Sequence, residues 1–170
     1  MKLPDKFEIL IITLSDRAYR GEYEDLSGPK IKEKIEEFFP STGWLYNIKL
    51  TLIPDDADTL RDLLINAGEN YNIIITTGGT GIGPRDITIE TVSPLLAKEI
   101  PGIMEYIRIK YGTEKPSALL SRGVAGIIGK SLIYTLPGSV RAVEEYMSEI
   151  VKTIKHTIYM QYGVDKHGNT

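Results

Sequence analysis

The run Ile73-Ile74-Ile75 is β-branched and apolar without alternation, so it reads as a strand buried on both faces. Through Thr76 and Thr77 it empties into Gly78, Gly79, Gly81 and Gly83, four glycines within six residues. Such an exit turns the chain at positive φ and brings main-chain N–H groups close to a ligand with no Cβ in the way. Successive N–H groups in a turn form a concave anion site. Arg85 and Asp86 follow at the rim, one suited to gripping phosphate and the other to holding a metal. Strand, glycine turn and Arg-Asp together predict where a phosphorylated ligand binds.

Two common phosphate motifs fail by counting. The dinucleotide fingerprint needs G-x-G-x-x-G. From Gly79 and Gly81 the third glycine falls at Pro84, and from Gly81 and Gly83 it falls at Asp86. A P-loop around Gly129-Lys130-Ser131 would need its first glycine at Val124. The loop is glycine-rich in a third way.

The rest of the chain alternates strands with helices. Phe7 to Leu14, Tyr46 to Ile53, Asn72 to Thr77 and Ser131 to Leu136 read as strands. Ser27-Gly28-Pro29 starts a helix, with Ser27 as its N-cap and Ile31, Ile35 and Phe38 on its buried face; Pro40 closes it. Asp58 or Thr59 opens a helix that buries Leu60, Leu63, Leu64 and Ala67. Thr88 to Glu99 reads as a helix with a possible break at Ser93-Pro94, Pro101-Gly102 starts another, and a long one runs from about Arg141 to Tyr159. The fold class is therefore α/β, a three-layer α/β/α arrangement around a mostly parallel sheet, in one domain over residues 1–170.

In such folds ligands sit beyond the carboxyl ends of the strands. The segments there are Ser15-Asp16-Arg17, Pro54-Asp55-Asp56, Gly78 to Asp86 and Pro137-Gly138-Ser139, all polar or rich in glycine and proline. With Asp58 and Thr59 capping their helix, Asp55 and Asp56 are surplus. Asp86 has two readings, a site carboxylate or a cap for the helix that begins at Thr88. Arg17 and Arg20 read as solvated charges, and Ser121-Arg122 alone as a plain turn. His156 and His167 read as surface or interface residues rather than catalytic ones. The helical tyrosines (Tyr106, Tyr111, Tyr146, Tyr159, Tyr162) read as packing or subunit contacts.

Composition narrows the function. A net charge of −3 argues against a nucleic-acid binder. Zero cysteines remove disulfides, thiolate metal sites and cysteine nucleophiles. No apolar run approaches membrane length, and the N-terminus lacks a signal-peptide pattern, so a soluble cytoplasmic protein is expected.

Seven blocks, in order, resemble the molybdopterin adenylyltransferase family, which includes the Mog proteins and the G domains of gephyrin and plant Cnx proteins. They are Thr13-Leu14-Ser15-Asp16-Arg17, Asp25-Leu26-Ser27-Gly28-Pro29, Ile53-Pro54-Asp55-Asp56, Thr77-Gly78-Gly79-Thr80-Gly81, Pro84-Arg85-Asp86-Ile87-Thr88, Leu120-Ser121-Arg122 and Leu136-Pro137-Gly138-Ser139. The resemblance implies the MoaB/Mog fold and a homo-trimer, with a hexamer as the alternative. It implies that molybdopterin and Mg-ATP give adenylylated molybdopterin and pyrophosphate, ahead of a downstream molybdenum-insertion protein. It implies that Asp55 and Asp86 hold or orient Mg²⁺ and ATP. By the same resemblance Gly78, Gly79, Thr80 and Gly81 cradle nucleotide phosphates, and Thr13, Ser15, Asp16 and Asp25 line the first loop. Ser121, Arg122, Pro137, Gly138 and Ser139 would shape the pterin side, with Glu105 at the pocket.

The pattern departs from the family in two places. Ile89 stands where many members have proline, and Pro137-Gly138-Ser139 with the short ending is similar to the related MoaB branch. A non-catalytic molybdopterin-binding or scaffold paralogue of MoaB type is therefore the alternative reading, and a nucleotide hydrolase on the same fold is a third.

Overall fold

The computed structural model describes residues 2–164; His167 and the rest of the tail from 165 lie outside the described residues. Strands β1 (Lys6–Leu14), β2 (Leu45–Ile53), β3 (Ile73–Thr77), β4 (Lys98–Glu99), β5 (Ala125–Ile128) and β6 (Ser131–Leu136) form one sheet. Its order is β2-β1-β3-β6-β5-β4. The four strands β2, β1, β3 and β6 run parallel, while β5 and β4 are antiparallel additions at one edge. Helices α1 (Asp16–Tyr19), α2 (Ser27–Phe38), α3 (Ala57–Asn70), α4 (Thr88–Val92), α5 (Pro101–Gly112) and α6 (Val140–Gln161) connect them.

Alternation along the central strands builds two cores. Ile9, Ile11, Ile73 and Ile75 pack on one face with Ile31 and Ile35 of α2, Met104 and Ile107 of α5, and Met147, Ile150 and Ile154 of α6. Leu10, Ile12, Ile74 and Ile133 face the other way, against Leu60, Leu64 and Ala67 of α3. All five residues of β3 are buried, as a strand covered on both faces requires. The layers are thus the α/β/α arrangement expected from the alternation.

Local expectations needed correction in four places. Asp56, not Asp58 or Thr59, precedes α3 and caps it: its Oδ1 accepts the Thr59 N–H at 2.8 Å, so Asp56 is not surplus. Ser27 is the first residue of α2 rather than its cap, because Asp25 does the capping. The helix expected over Thr88 to Glu99 does break at Ser93-Pro94, with α4 ending at Val92, but it does not resume beyond the break. Pro94 sits in a 3-10 turn, Ser93–Leu95, and the Ala97 N–H goes across to Ile127 O at 2.8 Å. Strands β4 and β5 were not foreseen, being two and four residues long with Gly126 in the second. Gly129-Lys130 is the turn between β5 and β6, with Gly129 at φ +53°, and so takes no part in a phosphate loop.

Candidate functional site

The parallel strands end along one edge, and β1 and β2 are clasped there by two aspartates. Asp16 N–H donates to Asp55 Oδ2 at 3.0 Å, and Asp55 N–H donates to Asp16 Oδ1 at 3.0 Å. Asp16 also pairs with Arg85 from the glycine loop. Ser15 caps α1 through the Ala18 N–H and shares a 2.7 Å hydrogen bond with Tyr23. Thr13 Oγ1 donates to Asp25 Oδ2 at 2.7 Å, while Asp25 Oδ1 accepts from the Ser27 and Gly28 N–H groups. Both Asp25 oxygens are therefore engaged within the chain; Asp25 positions the start of α2 rather than presenting a free carboxylate.

Gly78 turns the chain out of β3 at φ +102°, and a Cβ there would meet Leu14 O at 2.3 Å. Only glycine fits between the ends of β1 and β3. Thr88 Oγ1 donates to Gly78 O at 2.8 Å and Thr88 N–H to Gly79 O at 3.0 Å, which locks the base of the loop. Among the described residues the N–H groups of Gly79, Thr80 and Gly81 have no protein acceptor. Three consecutive donors without a protein acceptor in a glycine turn are what an anion site would require. Asp86 does not cap α4: its Oδ2 accepts the Gly83 N–H at 2.7 Å, turning the carboxylate back over the loop.

Because β5 runs antiparallel to β6, its entry lies at the carboxyl end of β6, and this brings Ser121 and Arg122 to the same edge. Arg122 N–H donates to Thr80 O at 3.1 Å and Nε to Gly81 O at 2.8 Å, and the guanidinium pairs with Glu90. Thr77 Oγ1 donates to Pro137 O at 2.9 Å, and a Cβ on Gly138 would lie 3.3 Å from Gly78 Cα, so the β3 and β6 loops touch. Ser139 caps α6 through the Ala142 N–H at 3.3 Å. Glu105 is exposed on α5 and forms no ion pair among the described residues. His156 is exposed on α6.

Burial pushes the Asp55 carboxyl up, and the charge of Asp86 pushes it further. Both carboxylates lie on loops at the carboxyl ends of the parallel strands, held by the Asp16 and Gly83 N–H groups respectively. Among the described residues no group of three or more His, Cys, Asp or Glu side chains forms a cage for a metal. Magnesium seldom needs one, since it binds through one or two carboxylates plus substrate phosphates. The Asp55–Asp86 pair therefore fits Mg²⁺ carried in with a phosphorylated ligand.

Sequence reasoning passed over Glu90, Tyr23 and Thr88 as site residues. Glu90 is 32 residues from Arg122, and nothing local marks the pairing. Thr88 had a signal, as a threonine following Asp86, but its hydroxyl serves the loop rather than the helix end.

The architecture is that of an α/β protein with its candidate site beyond the carboxyl ends of a parallel sheet, built from a glycine turn with unpaired N–H groups and the loop aspartates Asp55 and Asp86. Residues 10–156 match the family described as a probable molybdopterin binding domain, involved in molybdenum cofactor biosynthesis, and the chain belongs to that family. It is 35% identical over 155 residues to the molybdopterin adenylyltransferase of Helicobacter pylori, covering 90% of this chain and 86% of that protein. It is 37% identical over 152 residues to the Drosophila melanogaster molybdenum cofactor synthesis protein cinnamon, covering 88% of this chain but spanning only 25% of that longer protein. The solved structure of the molybdopterin biosynthesis enzyme MoaB from Thermus thermophilus superposes with a TM-score of 0.82 at 33% identity, covering 92% of this chain and 97% of that one. No helix among the described residues is long and apolar enough to cross a membrane.

Proposed function

We propose that this chain is a molybdopterin adenylyltransferase of molybdenum cofactor biosynthesis, using ATP with Mg²⁺ to give adenylyl-molybdopterin and pyrophosphate. The observation that supports this reading is three loop N–H groups without a protein acceptor at the strand edge whose loops also carry Asp55 and Asp86. The Helicobacter pylori relative, of comparable extent, supports the activity.

In this reaction an oxygen of the pterin's terminal phosphate forms a bond to the α-phosphorus of ATP. The bond from that phosphorus to the β-phosphate bridge breaks, and pyrophosphate leaves with the electron pair. The attacking phosphate is ionised at neutral pH, so no histidine base is needed and the exposed His156 is no obstacle. Repulsion between phosphates is the main barrier. The N–H groups of Gly79, Thr80 and Gly81 donate to nucleotide phosphate oxygens, and Asp55 and Asp86 orient the cation that travels with them. Bound Mg²⁺ supplies charge neutralisation on the phosphates. Arg85 and Arg122, each now paired with a carboxylate, stand at the rim to exchange those partners for phosphate. Ser121, Pro137, Gly138 and Ser139 shape the pterin side, with Glu105 at its margin.

A homo-trimer in the cytoplasm, handing its product to a molybdenum-insertion protein, completes the proposal. The test is one incubation with molybdopterin, ATP and Mg²⁺, followed by detection of adenylylated pterin and pyrophosphate. The Pro137-Gly138-Ser139 block and Ile89, where the chain departs from the adenylyltransferase pattern, favour a second reading, a pterin-binding scaffold. Pterin binding without pyrophosphate release would establish that reading instead.

A further inference from the structure

Thr88 opens α4 and is fully buried, so its side chain cannot touch a ligand. Thr91 of the same helix bonds back to Ile87 O at 2.8 Å. Thr88 instead donates twice out of the helix, from Oγ1 to Gly78 O at 2.8 Å and from N–H to Gly79 O at 3.0 Å. Its hydroxyl lies so close behind the loop that a Cβ on Gly79 would meet it at 2.4 Å. A peptide group is planar and, throughout the described residues, trans, so the C=O of one residue and the N–H of the next point in opposite directions. Holding the Gly78 and Gly79 carbonyls therefore aims the Gly79 and Thr80 N–H groups away from Thr88. These are two of the three loop donors without a protein acceptor among the described residues. The third, on Gly81, is fixed by the Arg122 N–H, which holds Thr80 O at 3.1 Å. Neighbouring carbonyls can both turn to Thr88 because Gly78 and Gly79 take positive φ, +102° and +64°.

We propose that Thr88 is a positioning residue for nucleotide phosphate: by gripping two carbonyls behind the loop, it holds the Gly79 and Thr80 N–H groups in the orientation that receives phosphate oxygens of ATP. This rests on the reading of the glycine turn as a phosphate site in the proposed function above. Donors fixed before the ligand arrives need no reordering when it binds, and that saving appears as affinity. The hydroxyl alone holds the Gly78–Gly79 peptide, whereas the Gly79–Thr80 peptide is held by the Thr88 main chain. The side chain therefore governs the Gly79 donor most directly.

The test measures Mg-ATP affinity by calorimetry, and the denaturant midpoint, for the wild-type chain, Thr88→Val and Thr88→Ser. Valine keeps the shape and loses the hydroxyl; serine keeps the hydroxyl and loses a methyl. Thr88→Val should bind Mg-ATP about tenfold more weakly. Thr88→Ser should bind within about twofold of the wild type, although lost packing lowers its midpoint. In amide NMR spectra the Gly79 signal should shift when Mg-ATP is added to the wild type and to Thr88→Ser, and shift less in Thr88→Val. Affinity that follows stability, as weak in the serine variant as in the valine one, would make the role merely structural and overturn the proposal. Wild-type affinity in Thr88→Val would overturn it too. If Thr88→Val does not fold, Thr88→Ser decides: near-wild-type affinity with a lowered midpoint supports the proposal, and weakened binding overturns it. If the wild-type chain fails to bind Mg-ATP, this proposal and the functional reading both fall. If the variants behave as stated but no adenylylated pterin forms, only the adenylyltransferase reading falls.

Discussion

Asp55 and Asp86 sit on loops 31 residues apart, and each is held by a backbone N–H, from Asp16 and Gly83 respectively. Asp86→Asn keeps an oxygen for the Gly83 N–H, so it should fold with an unchanged melting temperature. Its adenylyl transfer should fall by about 100-fold or more, measured as pyrophosphate release. Asp55 titrates above its ordinary value in the fold, so its ionised form is disfavoured there and its contribution to stability falls as pH rises through that interval. Asp55→Asn should therefore leave the metal-free protein at least as stable. Mg-ATP should raise the melting temperature of the wild type and not that of Asp55→Asn, and an undiminished rise in the variant would remove Asp55 from the proposed metal site. Gly81 supplies a gentler probe: its φ is unstrained, but a Cβ would come 2.7 Å from Asp86 Oδ2. Gly81→Ala should displace that carboxylate, costing about 1 kcal/mol in stability but a much larger share of kcat.

At the scale of elements, two aspartates that look alike in the sequence separate by what they cap. Asp56→Ala removes one helix cap and should cost about 1 kcal/mol by chemical denaturation, with activity retained. Asp25→Ala releases the start of α2 and also the Thr13 hydroxyl, so about 2 kcal/mol is expected. The long apolar runs of β1, β3 and β6 and the periodic faces of α2, α3, α5 and α6 were legible because their patterns repeat over many residues. Strands β4 and β5 were not, since two and four residues carry no period. They form because Lys98 and Glu99 find partners at Ile127 and Gly126, far along the chain. The same non-local pairing decides the site: only the antiparallel entry of β5 explains why Ser121 and Arg122 reach the carboxyl edge of β6. From the sequence they read as a turn.

The whole molecule is a parallel sheet clamped between helices, and one ion cluster ties two of those helices together across its surface. Glu149 of α6 is buried, which opposes its charge, but hydrogen bonds from Lys110 of α5 and from Lys152 outweigh this and hold the carboxyl at about 2, against an ordinary 4.5. Its folded value lies below its unfolded one, so the stabilisation is complete above about pH 4.5 and is lost as pH falls toward 2. The unfolding free energy from denaturant titrations should drop over that window by on the order of 2 kcal/mol, and Glu149→Gln should flatten the drop. Sequence alone determined the layer order and the glycine turn at the strand edge proposed to carry the site, because these follow from hydrophobic period and from the conformational range of glycine, both local properties. Tertiary structure alone decided which aspartates cap helices and which sit on the loops of the candidate site, and which arginines hold internal partners. Those outcomes depend on distances between residues far apart in sequence, and such distances exist only once the sheet has closed.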